Sequence, residues 1–214
     1  MPGFSIEPSP IGRIVVAPEV PAEHRLFYTT RDYEGAIGEE LQAFVGMPIA
    51  HCHQVHGRTL CAPTVPPAEC DALWSSEPGA LAIKTADCLP VSLIAGGVIA
   101  NIHCGWRGAV QRIVDATLDV VGVTGAAWLG PSIRVCCFEV GEEVAEQFDD
   151  AFVDRTRAKP HVDIAGLVAA RLRERGVARV HDSVLCTRCE GSIFHSFRRD
   201  GRTGGRNLAI LAKD

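Results

Sequence analysis

Two runs rich in Val, Ile and Leu, "LPVSLIAG" (89–96) and "GVIANIHCG" (97–105), meet at Gly96-Gly97, and this junction constrains the fold more than any other stretch. Glycine takes positive φ at no steric cost, so a Gly-Gly pair between two such runs predicts a β-hairpin. About eight residues separate Cys88 from the turn and about six separate the turn from His103; at roughly 3.3 Å per residue the arms nearly match. The hairpin therefore returns His103 to the neighbourhood of Cys88. A third apolar run, "GALAIKTADC" (79–88), leads into the pair.

Elsewhere the pattern mixes strands and helices. "GRIVVAPEV" has the β-branched content of an early strand, and "EGAIGEELQAFVG" sets Ile37, Leu41, Phe44 and Val45 at helical spacing before Gly46. "MPIAHCHQVHGRTLCAP" alternates like a half-buried strand that passes through a histidine-rich bend near Gly57. After "HCGWRG", the stretch "AVQRIVDATLDVVG" puts Val110, Ile113, Val114, Thr117, Leu118 and Val121 on one helical face, with Gly122 as the stop. The N–H groups that open this helix, with Arg107, suit an anion. "AAWLGPSI" reads as a strand, "GEEVAEQFDDAF" and "DIAGLVAARLRERG" as helices, and "FHSFRRDGRTGGRNLAILA" as two strands joined by a Gly- and Arg-rich loop. Regular βαβ alternation is missing, so the pattern favours α+β over a doubly wound sheet. A length of 214 residues fits one well-filled core, and 1–214 is read as a single domain.

Composition narrows the function classes. The chain is 47% hydrophobic and 22% charged with a formal charge of -5, and its interleaved charges give no basic face for a phosphate backbone. Nucleic acid is not an expected partner. No run approaches the roughly 20 apolar residues of a membrane helix, and the N-terminus has no secretory pattern, so a cytoplasmic protein is expected. Nine cysteines are an odd count in a chain too long for a disulfide-stapled scaffold, so most should be thiols. Cys136-Cys137 and Cys186-x-x-Cys189 are read the same way, because one CxxC without a second pair is weak zinc or redox spacing. Trp106 and Trp128 are read as packing residues, with base stacking as the alternative.

His56, Cys88 and His103 are the candidate metal ligands. A thiolate and two imidazoles with one open position are the donor pattern of a catalytic zinc. The residues alone leave a second reading open, in which Cys88 is a small buried side chain and the histidines are hydrogen-bonded core or loop groups.

"HQVHG" (53–57), "TADCLPV" (85–91), "HCGWRG" (103–108), "WLGPSIRVCCFEVGEEV" (128–144) and "SFRRDGRTGGR" (196–206) resemble, in order, the motifs of the YfiH or laccase-domain family. The resemblance covers about residues 50 to 210. It implies a layered α/β/β/α sandwich of mixed sheets, like that of the cytotoxic necrotizing factors, and a metal, usually zinc, on His56, Cys88 and His103. It also implies a purine nucleoside phosphorylase acting on adenosine, inosine, guanosine or methylthioadenosine, with adenosine deaminase activity. The competing activities are a copper-dependent polyphenol oxidase, a cysteine hydrolase with Cys88 as nucleophile and His103 as base, and an editing factor for peptidoglycan precursors. Zinc is expected, with copper as the alternative; multicopper electron transfer needs many more clustered ligands than eight scattered histidines supply. Cys104 stands where the family has small residues, and the region before "FYTTRDYEGAIGEELQAF" matches loosely.

The expected partners are a purine nucleoside and phosphate, taken by a monomer. A guanidinium fork matches oxyanions, so Arg107, Arg199 and Arg206 are the candidate phosphate holders, with Arg107 also counted among the catalytic groups. Asp87 is expected to orient a ligand imidazole or to act as a base. His51 and His53 are expected either to support the metal ligands from behind or to sit at the substrate rim.

Overall fold

The computed structural model describes residues 3–34, 36–123 and 125–214; Met1, Pro2, Gly35 and Thr124, which touch the N-terminal and "EGAIGEELQAFVG" readings, lie outside the described residues. The first strands are β1 (Ser5–Ser9), β2 (Gly12–Val16), β3 (His24–Thr29), β4 (Ile49–Ala50), β5 (Leu60–Cys61), β6 (Ala72–Ser75) and β7 (Gly79–Thr85). They continue with β8 (Leu89–Ala95), β9 (Val98–Cys104), β10 (Ala126–Leu129), β11 (Val153–Asp154), β12 (His161–Val162), β13 (Arg179–Asp182) and β14 (Asn207–Lys213). The helices are α1 (Glu39–Val45), α2 (Trp106–Val110), α3 (Ile113–Val121), α4 (Glu142–Ala145), α5 (Ile164–Glu174) and α6 (Phe197–Asp200).

Gly96 and Gly97 take φ 54° and 90°, and β8 pairs with β9 in the register Ala95↔Val98 to Leu89↔Cys104. The predicted hairpin forms. It lies inside a six-stranded sheet ordered β13-β10-β8-β9-β6-β5, opposite a second sheet ordered β1-β2-β3-β14-β7-β4. Both sheets are mixed: β4 with β7, β5 with β6 and β10 with β13 run parallel, and the other pairs antiparallel.

Successive residues of a strand point to opposite faces, and in the central strands both faces are apolar. Leu81, Ile83 and Leu211 from one sheet meet Leu73, Ile99 and Trp128 from the other between the layers. Val91, Leu93, Ala100 and Ile102 face the opposite way, against Ile113, Leu118, Val168 and Leu172 of α3 and α5. Ala80, Ala82 and Ile210 cover Leu41 and Val45 of α1 on the far side. The layers therefore run α/β/β/α. Each fully buried Leu or Ile contributes about 1.5–3 kcal/mol to this core. One buried polar clip fixes how the sheets face each other: the Asn101 amide donates to the Leu81 and Ala209 carbonyls and accepts from the Ser92 hydroxyl.

Some elements differ from the sequence reading. The helix expected to run on from "HCGWRG" breaks at Arg112, which sits at φ 61°. The Ala109 carbonyl, which a continuous helix would give to the amide four residues on, accepts instead from the Arg112 amide and the Arg171 guanidinium. In "GEEVAEQFDDAF" only α4 and a short turn at Asp150–Phe152 are helical. The first strand expected in "FHSFRRDG" is absent, because the Ser196 hydroxyl accepts from the Arg199 amide and starts α6. β1 and β3 lie outside the strands read from sequence, although "HRLFYT" carries the Leu, Phe and Tyr of a strand. Among the described residues no helix is long and apolar enough to cross a membrane. Cys61 and Cys70 are joined by a disulfide, and the other seven cysteines are free.

Candidate metal centre

The hairpin register sets Pro90 opposite His103, so Cys88, just before β8, arrives beside the imidazole. The stretch "HCHQVHG" does not form the expected long strand. It is a loop whose backbone is satisfied in another way: the Val55, His56 and Gly57 amides all donate to the Asp71 carboxylate. Gln54 fastens the same loop to β7, accepting from the Lys84 amide at 2.8 Å and donating to the Lys84 carbonyl at 2.7 Å. His56, at φ 61°, is thereby turned toward the hairpin.

The ligating atoms of His56, Cys88 and His103 lie within 4.8 Å of one another. The two imidazoles meet edge to face, with centroids 4.7 Å apart at 84°. His103 Nδ1 donates to Asp71 Oδ1 at 2.7 Å. A carboxylate accepts only, so this bond puts the proton on Nδ1 and leaves Nε2 for an ion. Asp71 is fully buried, and the sequence reading missed it. Burial raises its pKa, but the bonds from His103 and the backbone amides outweigh that and hold it below the ordinary carboxylate range.

Burial opposes ionisation of Cys88, yet hydrogen bonds and charge from His103 and His56 prevail, and its pKa falls to about 6. Burial also opposes charge on His103, but Asp71 and Cys88 raise its pKa to about 9. The pair is poised as thiolate and imidazolium, and a divalent cation would replace the shared proton. Gly105 leaves the room: a Cβ there would stand 3.2 Å from Cys88 Sγ and 3.4 Å from the His56 ring. A soft thiolate and two imidazoles on one side of a cavity match the three-ligand zinc set.

That cavity, of about 360 Å³, is lined by the three residues together with Cys52, His53, Gln54, Lys84, Ala86 and Arg206. A neighbouring cavity of about 620 Å³ shares Lys84 and Arg206 and adds Arg31, Glu34, His195 and Asp200. Residues 27–213 match the family described as multi-copper polyphenol oxidoreductase laccase. The chain belongs to this family. Among its relatives, "Purine nucleoside phosphorylase PA4543" of Pseudomonas aeruginosa is 39% identical over 166 residues, covering 71% of this chain and 69% of that protein. "Adenosine deaminase RL5", from an unknown prokaryotic organism, is 39% identical over 146 residues, covering 60% and 56%. The crystal structure of Neisseria meningitidis protein NMB0706 superposes with a TM-score of 0.85 at 26% identity, covering 100% of both chains.

On this laccase-family fold the other sequence candidates fall in different places. His53 and Arg206 line the metal-centre cavity, and Arg206 is braced by donating to the Gly204 and Gly205 carbonyls. His51 lines a separate apolar cavity. Arg107 is exposed and stacked on Trp106, 4.4 Å from the ring centroid, and lines neither cavity of the centre. Arg199 is spent internally: its guanidinium donates to Asp200 and to the carbonyls of Thr187, Arg188 and Phe194. It is a brace rather than a free phosphate holder. The His103 imidazole is held by Asp71, and Asp87 engages its carboxylate elsewhere. It accepts from the Thr187 hydroxyl and the Arg198 amide, both at 2.7 Å, and its carbonyl accepts from Ile133. Trp128 is core, donating to the Pro18 carbonyl. Cys104 points into the helix-side core, where burial pushes its thiol up to about 12. Lys84 and Arg31 were missed; the lysine inside the apolar run "GALAIKT" was the available signal.

Proposed function

We propose that this chain is a zinc-dependent purine nucleoside phosphorylase that also deaminates adenosine, with residues 1–214 acting as one domain and as a monomer. Its substrates are adenosine, inosine, guanosine and methylthioadenosine. The observation that carries this reading is one cavity in which the Cys88, His56 and His103 donors face Lys84 and Arg206. The names of the relatives from Pseudomonas aeruginosa and of RL5 point to the same chemistry.

In phosphorolysis an oxygen of phosphate bonds to the sugar carbon as the glycosidic C–N bond breaks, and the base leaves with the electron pair and gains a proton. Arg206 and Lys84 hold the phosphate beside the sugar, and their charge offsets that of the nucleophile. Arg31 extends this cationic wall into the neighbouring cavity. His53 lines the same cavity beside Gln54 and contacts the substrate there. His56, Cys88 and His103 would hold a zinc ion, which would supply Lewis acidity and an activated water of the kind deamination requires. Zinc suits the site better than a multicopper centre, since the other ligand cluster among the described residues is all cysteine.

Zinc-loaded protein incubated with adenosine and phosphate is expected to release adenine and ribose 1-phosphate, and to form inosine as a second product. No release of base under these conditions overturns the reading. A charge-assisted hydrogen bond is worth about 1.5–3 kcal/mol, so Arg206→Ala should raise KM for phosphate by roughly 10- to 100-fold. The KM for nucleoside should stay near wild type. Arg199→Ala should instead lower the melting temperature and leave the phosphate KM unchanged.

A further inference from the structure

Cys136, Cys137, Cys186 and Cys189 form a second convergence of ligand atoms, remote in chemistry from the first, with all four sulfurs within 4.8 Å of one another. Two loops build it. The loop after β10 supplies Cys136 and Cys137, and the segment after β13 supplies Cys186 and Cys189. The loops are joined by Ser132 donating to Leu185 and Thr187 donating to Ser132, so the cysteines meet across a pairing of backbone. The Glu190 amide donates to the Cys186 carbonyl and closes the turn that carries the CxxC.

We infer that these four cysteines are a structural tetrathiolate site for a borderline-soft divalent cation, zinc. Two of the six sulfur–sulfur separations are close to the edge of a coordination tetrahedron, and all lie within 4.8 Å. A Zn–S bond of about 2.3 Å gives sulfur–sulfur edges of about 3.8 Å. Here Cys136 and Cys189 are 3.8 Å apart and Cys137 and Cys189 3.4 Å, contact distances well beyond a disulfide bond. Cys137 and Cys186 are buried beneath Ile133 and Phe138, while Cys136 and Cys189 close the site at the surface.

On binding, four thiols give up four protons to solvent and the ZnS4 unit carries two net negative charges. Basic side chains surround it: Arg157 donates to the Cys136 carbonyl, and the Arg199 guanidinium to the carbonyls of Thr187 and Arg188. All four positions are filled by protein, so the site is closed and has no substrate role. Its effect is to pin two loops together. From those loops the Ile133 amide and the Thr187 hydroxyl hold Asp87, the neighbour of Cys88, and the Arg198 amide of α6 holds it from the other side of its carboxylate.

The test is metal content with the protein purified under reducing conditions from zinc-supplemented cells. Wild type should carry one zinc at each site. The Cys88→Ser/His103→Ala protein should keep one zinc, and its X-ray absorption should report sulfur alone at about 2.3 Å. Cys136→Ser/Cys189→Ser should lose one zinc and keep the one with mixed nitrogen and sulfur ligands. In case those variants fold poorly, wild type is alkylated with and without a chelator. Cys136 and Cys189 should be protected until zinc is removed, although both are exposed. Prompt alkylation of both in zinc-replete protein, a disulfide within the cluster, or no zinc left in the Cys88→Ser/His103→Ala protein overturns the inference. None of these outcomes depends on turnover, so failure here and failure of the nucleoside reading are distinct.

Discussion

Replacing Cys88 with serine is expected to strip the metal from the centre and lower both phosphorolysis and deamination by at least about a thousandfold. The proposed ligand at this position is a thiolate, and the surroundings are arranged to make one: the pKa of Cys88 falls to about 6 because His103 and His56 outweigh its burial. A serine hydroxyl cannot ionise in the same surroundings, and two imidazoles alone hold zinc poorly. The fold should survive, since the substitution removes little volume and Gly105 already leaves space around the sulfur. Zinc measured by mass spectrometry and activity measured on the same preparation give the answer. Full activity in Cys88→Ser protein that holds no zinc would refute the mechanism. The cysteine-hydrolase alternative is separated by chelation of wild type: a free Cys88 nucleophile would stay active without metal, whereas the metal centre would not.

How much of this centre could be read in advance follows from the range of the interactions. The hairpin was legible because its signal is local, two β-branched runs and a Gly-Gly turn, and matched arms sufficed to bring Cys88 to His103. Asp71 was not legible, since it precedes a four-residue strand and reaches His103 only through the pairing Ala72↔Ile102, 32 residues along the chain. Arginines were misleading for a related reason. Composition tells that Arg199 has donors, but only the fold tells that carbonyls of Thr187, Arg188 and Phe194 consume them. Arg206, with its donors braced by glycine carbonyls beside the cavity, looks no different in sequence. The break at Arg112 was hidden too, because the group that takes the Ala109 carbonyl is Arg171, on a helix 62 residues away.

Asp71→Asn should have the largest effect of any change outside the three proposed ligands. The two carboxylate oxygens accept four donors, from Val55, His56, Gly57 and His103, at 2.7 to 3.3 Å, and the side chain is wholly buried. An asparagine of the same shape has one oxygen and one NH2. Either orientation sets that NH2 against donors: against the Gly57 and Val55 amides, which loosens the loop carrying His56, or against the His56 amide and His103, which forces the imidazole to its other tautomer. The first choice leaves backbone amides unsatisfied in the interior, at a cost of about 1–3 kcal/mol each. The second directs a protonated Nε2 at the cation. Loss of an imidazole's supporting partner typically lowers metal affinity or activity by about 10- to 100-fold, and here the same group also positions His56. Asp71→Asn should therefore weaken zinc binding by more than about 100-fold and lower the melting temperature even of metal-free protein. Zinc titration with a competing chelator and thermal unfolding of the metal-free form separate the two effects. An unchanged metal-free stability would mean that the loop is held by something other than Asp71, and an unchanged zinc affinity would mean that His103 is not a ligand.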